Sequence, residues 1–317
     1  MTKRTIITGA HGFLGSHVKE RFLVAGYIED DIFCPRSKDY DLTRLDRVQQ
    51  MYQDFKAEQV VHIAADIGGI GYSKTHPGSQ FYNNMLMNTF VLDEAYKAGV
   101  QKFVGIGTVC AYPKFTPVPF KEEDLWLGYP EETNAAYGLS KKMMMEQSGA
   151  YRQQYGFNAV HLLLINLYGP RDDFDLQDSH VIPALIRKID EAKERGSAEI
   201  VMWGDGTATR EFLFVEDAAD AIYLATERYN KPDPVNIGNG VEISIKELVT
   251  TVCEIMEFRG NVVWDTSKPN GQPRRRLDVT RAREEFGFEA RVDLREGLAR
   301  TIEWYLADLK PSLSKSE

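Results

Sequence analysis

The sequence predicts an α/β fold in which helices cover both faces of a parallel sheet. Short apolar or β-branched runs alternate with helical patterns through the first half of the chain, and this alternation indicates strand, helix, strand units. The first strand-like run leads directly into three glycines and then a helix. Both observations favour a doubly wound sheet, which binds ligands at the carboxyl ends of its strands.

The predicted strands are short runs bounded by turn residues. They cover residues 5–8, 31–35, 59–63, 102–106, 158–165 and 234–237. The helical patterns between most of them cover 16–24, 46–55, 82–98, 136–155 and 215–228. We therefore expect one large sheet whose strands are connected by helices.

The regular alternation ends at about residue 167. Residues 168–178 are rich in Gly, Pro and Asp, and the next helical pattern covers 182–195. We expect a Rossmann-like domain of residues 1–167 with about 212–240. Residues 168–211 and 241–317 would then form a smaller mixed α/β domain.

Composition excludes several classes of protein. The chain has 38 basic and 47 acidic residues and a net charge of −9, whereas nucleic-acid binders usually carry a basic excess. No apolar run is long enough for a membrane span, and the N-terminus does not have a signal-peptide pattern. Three scattered cysteines are too few for a disulfide framework or a Cys-rich zinc site. We expect a cytoplasmic protein that binds neither nucleic acid nor membrane and has no metal site.

Gly9, Gly12 and Gly15 lie where the first strand meets the first helix. Such glycines let backbone N–H groups and the helix N-terminus approach a pyrophosphate. The spacing G-x-x-G-x-x-G is similar to that of the short-chain dehydrogenase/reductase superfamily. A purely structural turn is the alternative, and the surrounding strand and helix patterns make it the weaker one.

The end of the second strand distinguishes NAD from NADP. A carboxylate there would hold a ribose 2′-OH, whereas an arginine would hold a 2′-phosphate. The segment has Arg36 and Lys38 before its first carboxylate, Asp39, which favours NADP. The alternative is that both cations are solvated loop charges.

Tyr137 and Lys141 are four residues apart, so a helix places them on one face. An adjacent cation is what a phenol needs to exchange a proton with a carbonyl oxygen near neutral pH. Thr108 and Cys110 follow the fourth strand, where a hydroxyl could bond to a substrate carbonyl and a thiol could act as acid or base. For Cys110, a buried structural thiol is an equally good interpretation.

Several segments together resemble the GDP-L-fucose synthases, a family of the extended short-chain dehydrogenase/reductase superfamily. The matching segments are 68–70, 75–77, 110–114, 132–137, 166–170, 179–184, 203–204, 210–212 and 264–271. The resemblance implies an NADP(H)-dependent 3,5-epimerase and 4-reductase that converts GDP-4-keto-6-deoxy-D-mannose to GDP-L-fucose. It also implies that the larger domain binds the cofactor and the smaller one the nucleotide sugar.

The resemblance assigns roles to individual residues. Cys110 and His180 match the epimerising pair, Tyr137 the proton donor to the C4 oxygen, Thr108 a bonding partner of that oxygen, and Lys141 the group that holds the ribose. The residues expected at the cofactor are Gly9, Gly12, Phe13, Leu14, Gly15, Arg36, Asp41, Leu42, Ala64, Gly107, Lys141, Asn166 and Leu167. The residues expected at the nucleotide sugar are Lys188, Trp203, Arg210 and Asn270. For His180, a capping residue of the next helix is the alternative.

Three positions depart from the family pattern. Thr108 stands where Ser is more common, Asn270 where Asp is usual, and His11 where Arg is common. An amide presents donors that a carboxylate does not, so guanine specificity is less firmly indicated than the sugar chemistry.

Other functions fit parts of the pattern. A related nucleotide-sugar epimerase would use the cofactor without net redox, and a 4-keto-reductase could act on another nucleotide sugar with six or seven carbons. A non-catalytic dinucleotide sensor is disfavoured by the proton-transfer residues.

The superfamily resemblance also predicts a homodimer formed by helices 82–98 and 136–155, with the methionine run 143–145 as apolar surface. The alternative is that these methionines pack within their own subunit.

Overall fold

A six-stranded parallel sheet forms the larger part of the structure. The structure is a computed structural model and describes residues 2–175, 179–267 and 272–313. The strands, numbered in chain order, are β1 Thr5–Thr8, β2 Ile32–Phe33, β3 Gln59–His62, β4 Lys102–Thr108, β5 Ala159–Leu164, β6 Asn166–Tyr168, β7 Glu199–Trp203, β8 Thr209–Phe214, β9 Val235–Ile237, β10 Glu242–Ser244 and β11 Asn261–Asp265. The large sheet has the order β2-β1-β3-β4-β5-β9, all parallel. The predicted doubly wound α/β fold is therefore confirmed.

Helices connect these strands as the alternation predicted. They are α1 Phe13–Val24, α2 Leu45–Asp54, α3 Ile70–Thr75, α4 Pro77–Lys97, α5 Ala135–Tyr155, α6 Val181–Glu194, α7 Val215–Arg228, α8 Ile245–Ile255, α9 Thr280–Phe286, α10 Leu294–Trp304 and α11 Lys310–Leu313. The strand order reverses at β1, which has β2 on one side and β3 on the other. In open parallel sheets a ligand crevice forms at such a switch point.

Apolar side chains of the central strands pack on both faces of the sheet. One core lies against α1 and α7 and includes Ile7, Val18 and Ile222; the other lies against α2, α4 and α5 and includes Ile6 and Val91. None of the helices in the described ranges is long and apolar enough to cross a bilayer.

Two small sheets and a third core form the remaining part. The sheets are β10-β8-β6 and β11-β7, and the core lies between them and helices α6, α8 and α10. The segment around α9 behaves differently, because Leu277, Phe286 and Phe288 pack into the core of the large sheet. The boundaries proposed from the sequence place this segment in the smaller domain, since its sequence has no signal for long-range packing.

Candidate active site

The turn after β1 leaves the start of α1 open to a ligand. Gly9 has a φ of 71°, in the left-handed region, and the Gly12 N–H donates to the Gly9 carbonyl at 3.0 Å. A Cβ on Gly15 would lie 2.0 Å from that carbonyl, so only glycine permits this packing. Gly12 is the N-cap and has no side chain to bond to the first N–H groups of α1. The turn therefore fits the diphosphate of a dinucleotide.

The segment after β2 carries the residue expected to select NADP. The Nε2 atom of His11 lies 3.3 Å from the Cys34 carbonyl, which joins the glycine turn to this segment. Arg36 is exposed, and its carbonyl accepts the N–H groups of Asp39 and Tyr40 at 3.0 and 2.8 Å. The turn fixes the backbone and leaves the guanidinium accessible to a phosphate.

Other expected cofactor residues surround these two turns. Phe13 and Leu14 form the first turn of α1 and are half-buried. The Asp41 carboxylate accepts the Thr43 N–H at 3.0 Å, and Leu42 is buried beneath it in the core around α2. Asp41 therefore has a local structural role whatever it binds.

A buried polar network that sequence reasoning missed connects this region to α5. The Thr8 hydroxyl accepts the Ala64 N–H at 3.2 Å and lies 2.8 Å from Nδ1 of His62. Nε2 of His62 lies 3.1 Å from the side-chain oxygen of Asn88, whose amide donates to the Ser140 carbonyl at 3.3 Å. The network fixes the ends of β1 and β3 relative to α5.

Cys110 and Tyr137 meet where α5 packs against the turn after β4. The Thr108 hydroxyl accepts the Cys110 N–H at 3.2 Å and caps a 3₁₀ turn over Val109–Ala111. A Cβ on Gly138 would lie 2.3 Å from the Cys110 carbonyl, so glycine allows the helix and turn to touch. This contact brings the neighbouring Tyr137 close to Cys110.

Burial sets the protonation of the Tyr137 and Lys141 side chains. Tyr137 is 8% exposed, and burial raises its pKa, with the nearby Cys110 adding to the shift. Lys141 is 1% exposed, and burial lowers its pKa to about 8. The Lys141 Nζ lies 5.9 Å from the centre of the Tyr137 ring. Tyr137 therefore remains a neutral proton donor at physiological pH, with a cation nearby.

The same cation acts on the buried network. Burial and then the Lys141 charge lower the pKa of His62 to about 3. A neutral His62 can donate from one ring nitrogen and accept at the other, as its two partners require.

His180 immediately precedes α6 and is its N-cap. Its side chain is exposed at the surface. Desolvation by the surrounding protein lowers its pKa, and the Asp173 carboxylate opposes that shift. The histidine makes no capping hydrogen bond to α6. The imidazole is therefore neutral at physiological pH, and His180 occupies the N-cap position without a side-chain bond to the helix.

Gly107 lies near the carboxyl end of β4, and Asn166 and Leu167 begin β6 directly after β5. A Cβ on Gly107 would lie 2.8 Å from the Leu163 side chain. The Asn166 amide donates to the Glu211 carbonyl at 2.9 Å, and Leu167 packs against the large-sheet core. Asn166 thus links the end of β5 to β8.

Three of the four residues expected at the nucleotide sugar lie on the small sheets and α6. Lys188 is half-buried on α6, and burial lowers its pKa; Trp203 ends β7 and is 64% exposed. Arg210 on β8 donates to the Gln272 carbonyl at 2.6 Å. Burial, and then the charge of Arg275, lower the Arg210 pKa to about 10. The fourth, Asn270, lies outside the described residues.

Comparison with known proteins agrees with this geometry. The profile of the NAD dependent epimerase/dehydratase family matches residues 5–238. The chain belongs to this family.

Its relatives include GDP-L-fucose synthases. A GDP-L-fucose synthase of Sinorhizobium fredii is 38% identical over 97% of this chain and 96% of its own length. GDP-L-fucose synthase 1 of Arabidopsis thaliana is 37% identical over 96% of this chain and 94% of its own.

Solved structures have the same fold over nearly the whole chain. A GDP-L-fucose synthetase from Naegleria fowleri bound to NADP is 26% identical, with a TM-score of 0.87 over 98% of this chain and 96% of its own. A GDP-6-OMe-4-keto-L-xylo-heptose reductase from C. jejuni is 26% identical, with a TM-score of 0.89 over 96% of this chain and 98% of its own.

Within this family fold, the basic run 274–276 has its arginines directed to different partners. Arg275 reaches Cys110, whereas Arg274 pairs with the Glu242 carboxylate at 2.6 Å. The composition of the run gave no indication of which arginine faces the site.

Proposed function

We propose that this protein is a GDP-L-fucose synthase, which converts GDP-4-keto-6-deoxy-D-mannose to GDP-L-fucose with NADP(H). The observation that carries the proposal is the close contact between α5 and the 109–111 turn, which places a thiol beside a buried phenol. An ordinary dehydrogenase needs the phenol alone. A second acid or base beside it suits an enzyme that also moves protons on carbon.

Inversion at C3 and C5 would use Cys110 and His180. Each of these protons is acidic because the electron pair left behind enters the C4 carbonyl as an enolate. The sulfur takes a proton from one face of the ring, and the imidazole returns one to the other face, which inverts the carbon. A neutral His180 can serve as acceptor or donor, as two successive inversions require.

Reduction at C4 would use Thr108, Tyr137 and Lys141. When bound, NADPH supplies the hydride. The Tyr137 phenol donates its proton to the C4 oxygen, while the Thr108 hydroxyl bonds to that oxygen. Burial raises the pKa of Tyr137, so the phenol is protonated before the reaction, and the nearby Lys141 charge favours the phenolate that forms when the proton is donated.

The remaining expected residues would hold the two nucleotides. Gly9, Gly12, Gly15 and the N-terminus of α1 fit the cofactor diphosphate, and Arg36 fits the 2′-phosphate. Lys188 and Arg210 offer charge for the GDP diphosphate, and the exposed Trp203 ring offers a surface for stacking.

The direct test mixes the protein with NADPH and GDP-4-keto-6-deoxy-D-mannose and follows cofactor absorbance and the sugar by NMR. Stoichiometric NADPH oxidation with GDP-L-fucose as product supports the proposal. Solvent deuterium entering C3 and C5 without net oxidation would instead identify an epimerase. Oxidation only with a different 4-keto sugar would identify a reductase of another substrate.

Variants separate the two half-reactions. Cys110→Ser should slow deuterium incorporation at C3 and C5 by roughly 10²–10⁴-fold, while hydride transfer to the uninverted ketone continues. Tyr137→Phe should show the opposite pattern. Wild-type exchange in Cys110→Ser would make the thiol structural.

We also infer a homodimer in the cytoplasm. Cys34, Cys110 and Cys253 are all free thiols, which suits a reducing compartment.

The dimer is supported by exposed apolar side chains, since α4 and α5 present Tyr82 and Met143 to solvent. Of the methionine run, Met144 and Met145 pack inside their own subunit, so the run contributes less apolar surface than its sequence implies.

A further inference from the structure

Gln272 connects Arg210, a residue expected at the nucleotide sugar, to Arg275, which contacts Cys110. Its side-chain oxygen accepts from Nε and Nη2 of Arg275 at 3.3 and 3.0 Å. Its amide donates to the Lys114 carbonyl at 2.9 Å, and its own carbonyl accepts from Arg210. Gln272 therefore holds Arg275 by two bonds from one guanidinium edge.

The free end of that guanidinium points at the thiol. Nη1 of Arg275 lies 3.8 Å from the Cys110 Sγ. Its neighbours in sequence face elsewhere, since Arg274 and Arg276 lie 2.6 and 3.8 Å from the Glu242 carboxylate. Only the middle arginine of the run is directed to the catalytic turn.

The local charge makes this contact consequential. Burial, and then the Arg275 charge, lower the pKa of Arg210, whereas Cys110 raises it. Arg210 is therefore close enough to interact electrostatically with both groups. A negative charge on the sulfur would therefore be stabilised by both guanidiniums. The proposed inversion requires such a charge whenever the sulfur is about to accept a proton from the sugar.

We propose that Arg275 is a positioning residue that orients the Cys110 sulfur and places positive charge beside it during inversion. This inference rests on the proposed function, which gives Cys110 its role. Arg275 acts through the thiol and is not required by the reduction step. Its loss should therefore affect inversion and leave hydride transfer nearly unchanged.

The test measures the reactivity of the thiol itself, without substrate or cofactor. Iodoacetamide reacts with the thiolate, so mass spectrometry of the Cys110 peptide reports the charge beside the sulfur. Arg275→Gln should slow alkylation about fivefold or more at pH 7.5, and Arg275→Lys should restore most of the rate. Arg274→Gln is the matched control and should alkylate like the wild type, as should Cys34 and Cys253 in every variant.

A second variant tests the inference if Arg275→Gln does not fold. Gln272→Leu keeps the Arg275 charge and frees its guanidinium, and should also slow alkylation of Cys110. Unchanged alkylation in Arg275→Gln, or in Gln272→Leu if the first variant does not fold, would overturn the inference.

Turnover assays distinguish this outcome from failure of the proposed function. Arg275→Gln should lose solvent exchange at C3 and C5 with little change in KM, whereas a contact with the diphosphate would raise KM and leave alkylation unchanged. If the wild type acts on no GDP-4-keto sugar but the alkylation effect is present, the proposed function fails and the Arg275 contact stands. If the wild type makes GDP-L-fucose and alkylation is unaffected, only the inference fails.

Discussion

Burial prepares individual residues of the site for opposite tasks. It raises the pKa of Tyr137, a neutral acid, and lowers the pKa values of Lys141 and His180, which carry a proton as cations. The phenol therefore keeps its proton, whereas the imidazole gives its proton up readily. Lys141 is the sensitive case, because its lowered pKa of about 8 lies near physiological pH.

NADPH binding should weaken as the pH rises through the pKa of Lys141. Below about pH 8 the side chain is an ammonium, and above it an amine without charge. If only the charged form holds the ribose, the Kd should rise up to roughly tenfold between pH 7 and 9. Fluorescence titration of NADPH checks this, with Lys141→Met as control. Parallel pH profiles for the two proteins would contradict the assignment, since the cofactor phosphate stays doubly ionised throughout.

Arg36 should determine the preference for NADPH over NADH. A charge-assisted bond worth about 1.5–3 kcal/mol corresponds to a tenfold or larger effect. Arg36→Ala should therefore raise the KM for NADPH at least about tenfold and leave the KM for NADH nearly unchanged. Arg44→Ala removes another exposed arginine of this region, one that pairs with Asp46, and should change neither value. Equal effects of Arg36→Ala on both cofactors would remove the arginine from the 2′-phosphate site.

At the scale of elements, both parts of the site depend on a helix that touches a turn. α1 meets the Gly9 carbonyl at Gly15, and α5 meets the Cys110 carbonyl at Gly138. The first contact shapes the predicted cofactor site, and the second sets the distance between thiol and phenol. In both cases one missing Cβ determines how closely two elements approach.

Gly138→Ala should inactivate the enzyme without unfolding it. The new Cβ would lie 2.3 Å from a backbone oxygen, so α5 or the turn must move. Displacements of this size cost on the order of 10²-fold in rate when reacting groups are misplaced. The control is Gly149→Ala on the same helix, where nothing lies within 4 Å of the added Cβ, so activity should persist with stability higher by about 0.5–1 kcal/mol. Full activity of Gly138→Ala in turnover assays would show that the contact is not needed.

For the whole molecule, sequence patterns predicted the elements whose structure depends on neighbouring residues in the chain. The buried β-branched runs identified five neighbouring strands of the large sheet and its short edge strand β2, and the glycine spacing identified the start of α1. The strands of the second part were not predicted. Three-residue strands such as β6 and β10 have no periodicity to detect, whereas β7 alternates exposed and buried residues and its signal was missed. Their pairing is decided by packing.

Contacts between distant residues explain the rest of the difference. His62 and Asn88 are ordinary residues in the sequence, and only the fold brings them together beneath α5. Arg275 is 165 residues from Cys110, so its orientation could not be inferred from a run of three arginines. The family resemblance named Cys110 and His180 but gave no account of what surrounds them.

The homodimer that the superfamily resemblance predicts is the largest scale at which a prediction is tested. α4 and α5 pack together on one face of the large sheet, and each leaves an apolar side chain exposed, Tyr82 at 62% and Met143 at 36%. Light scattering should give twice the 36.0 kDa of the chain at micromolar concentration. Tyr82→Glu with Met143→Glu should shift the mass to that of a monomer, because two charges would be buried without partners.

Val24→Glu is the matched control for this prediction. Val24 is 82% exposed on α1, which packs against the opposite face of the sheet, so the substitution should leave the dimer intact. A single 36.0 kDa species for the wild type would refute the dimer, and equal dissociation by all of these substitutions would place the interface elsewhere.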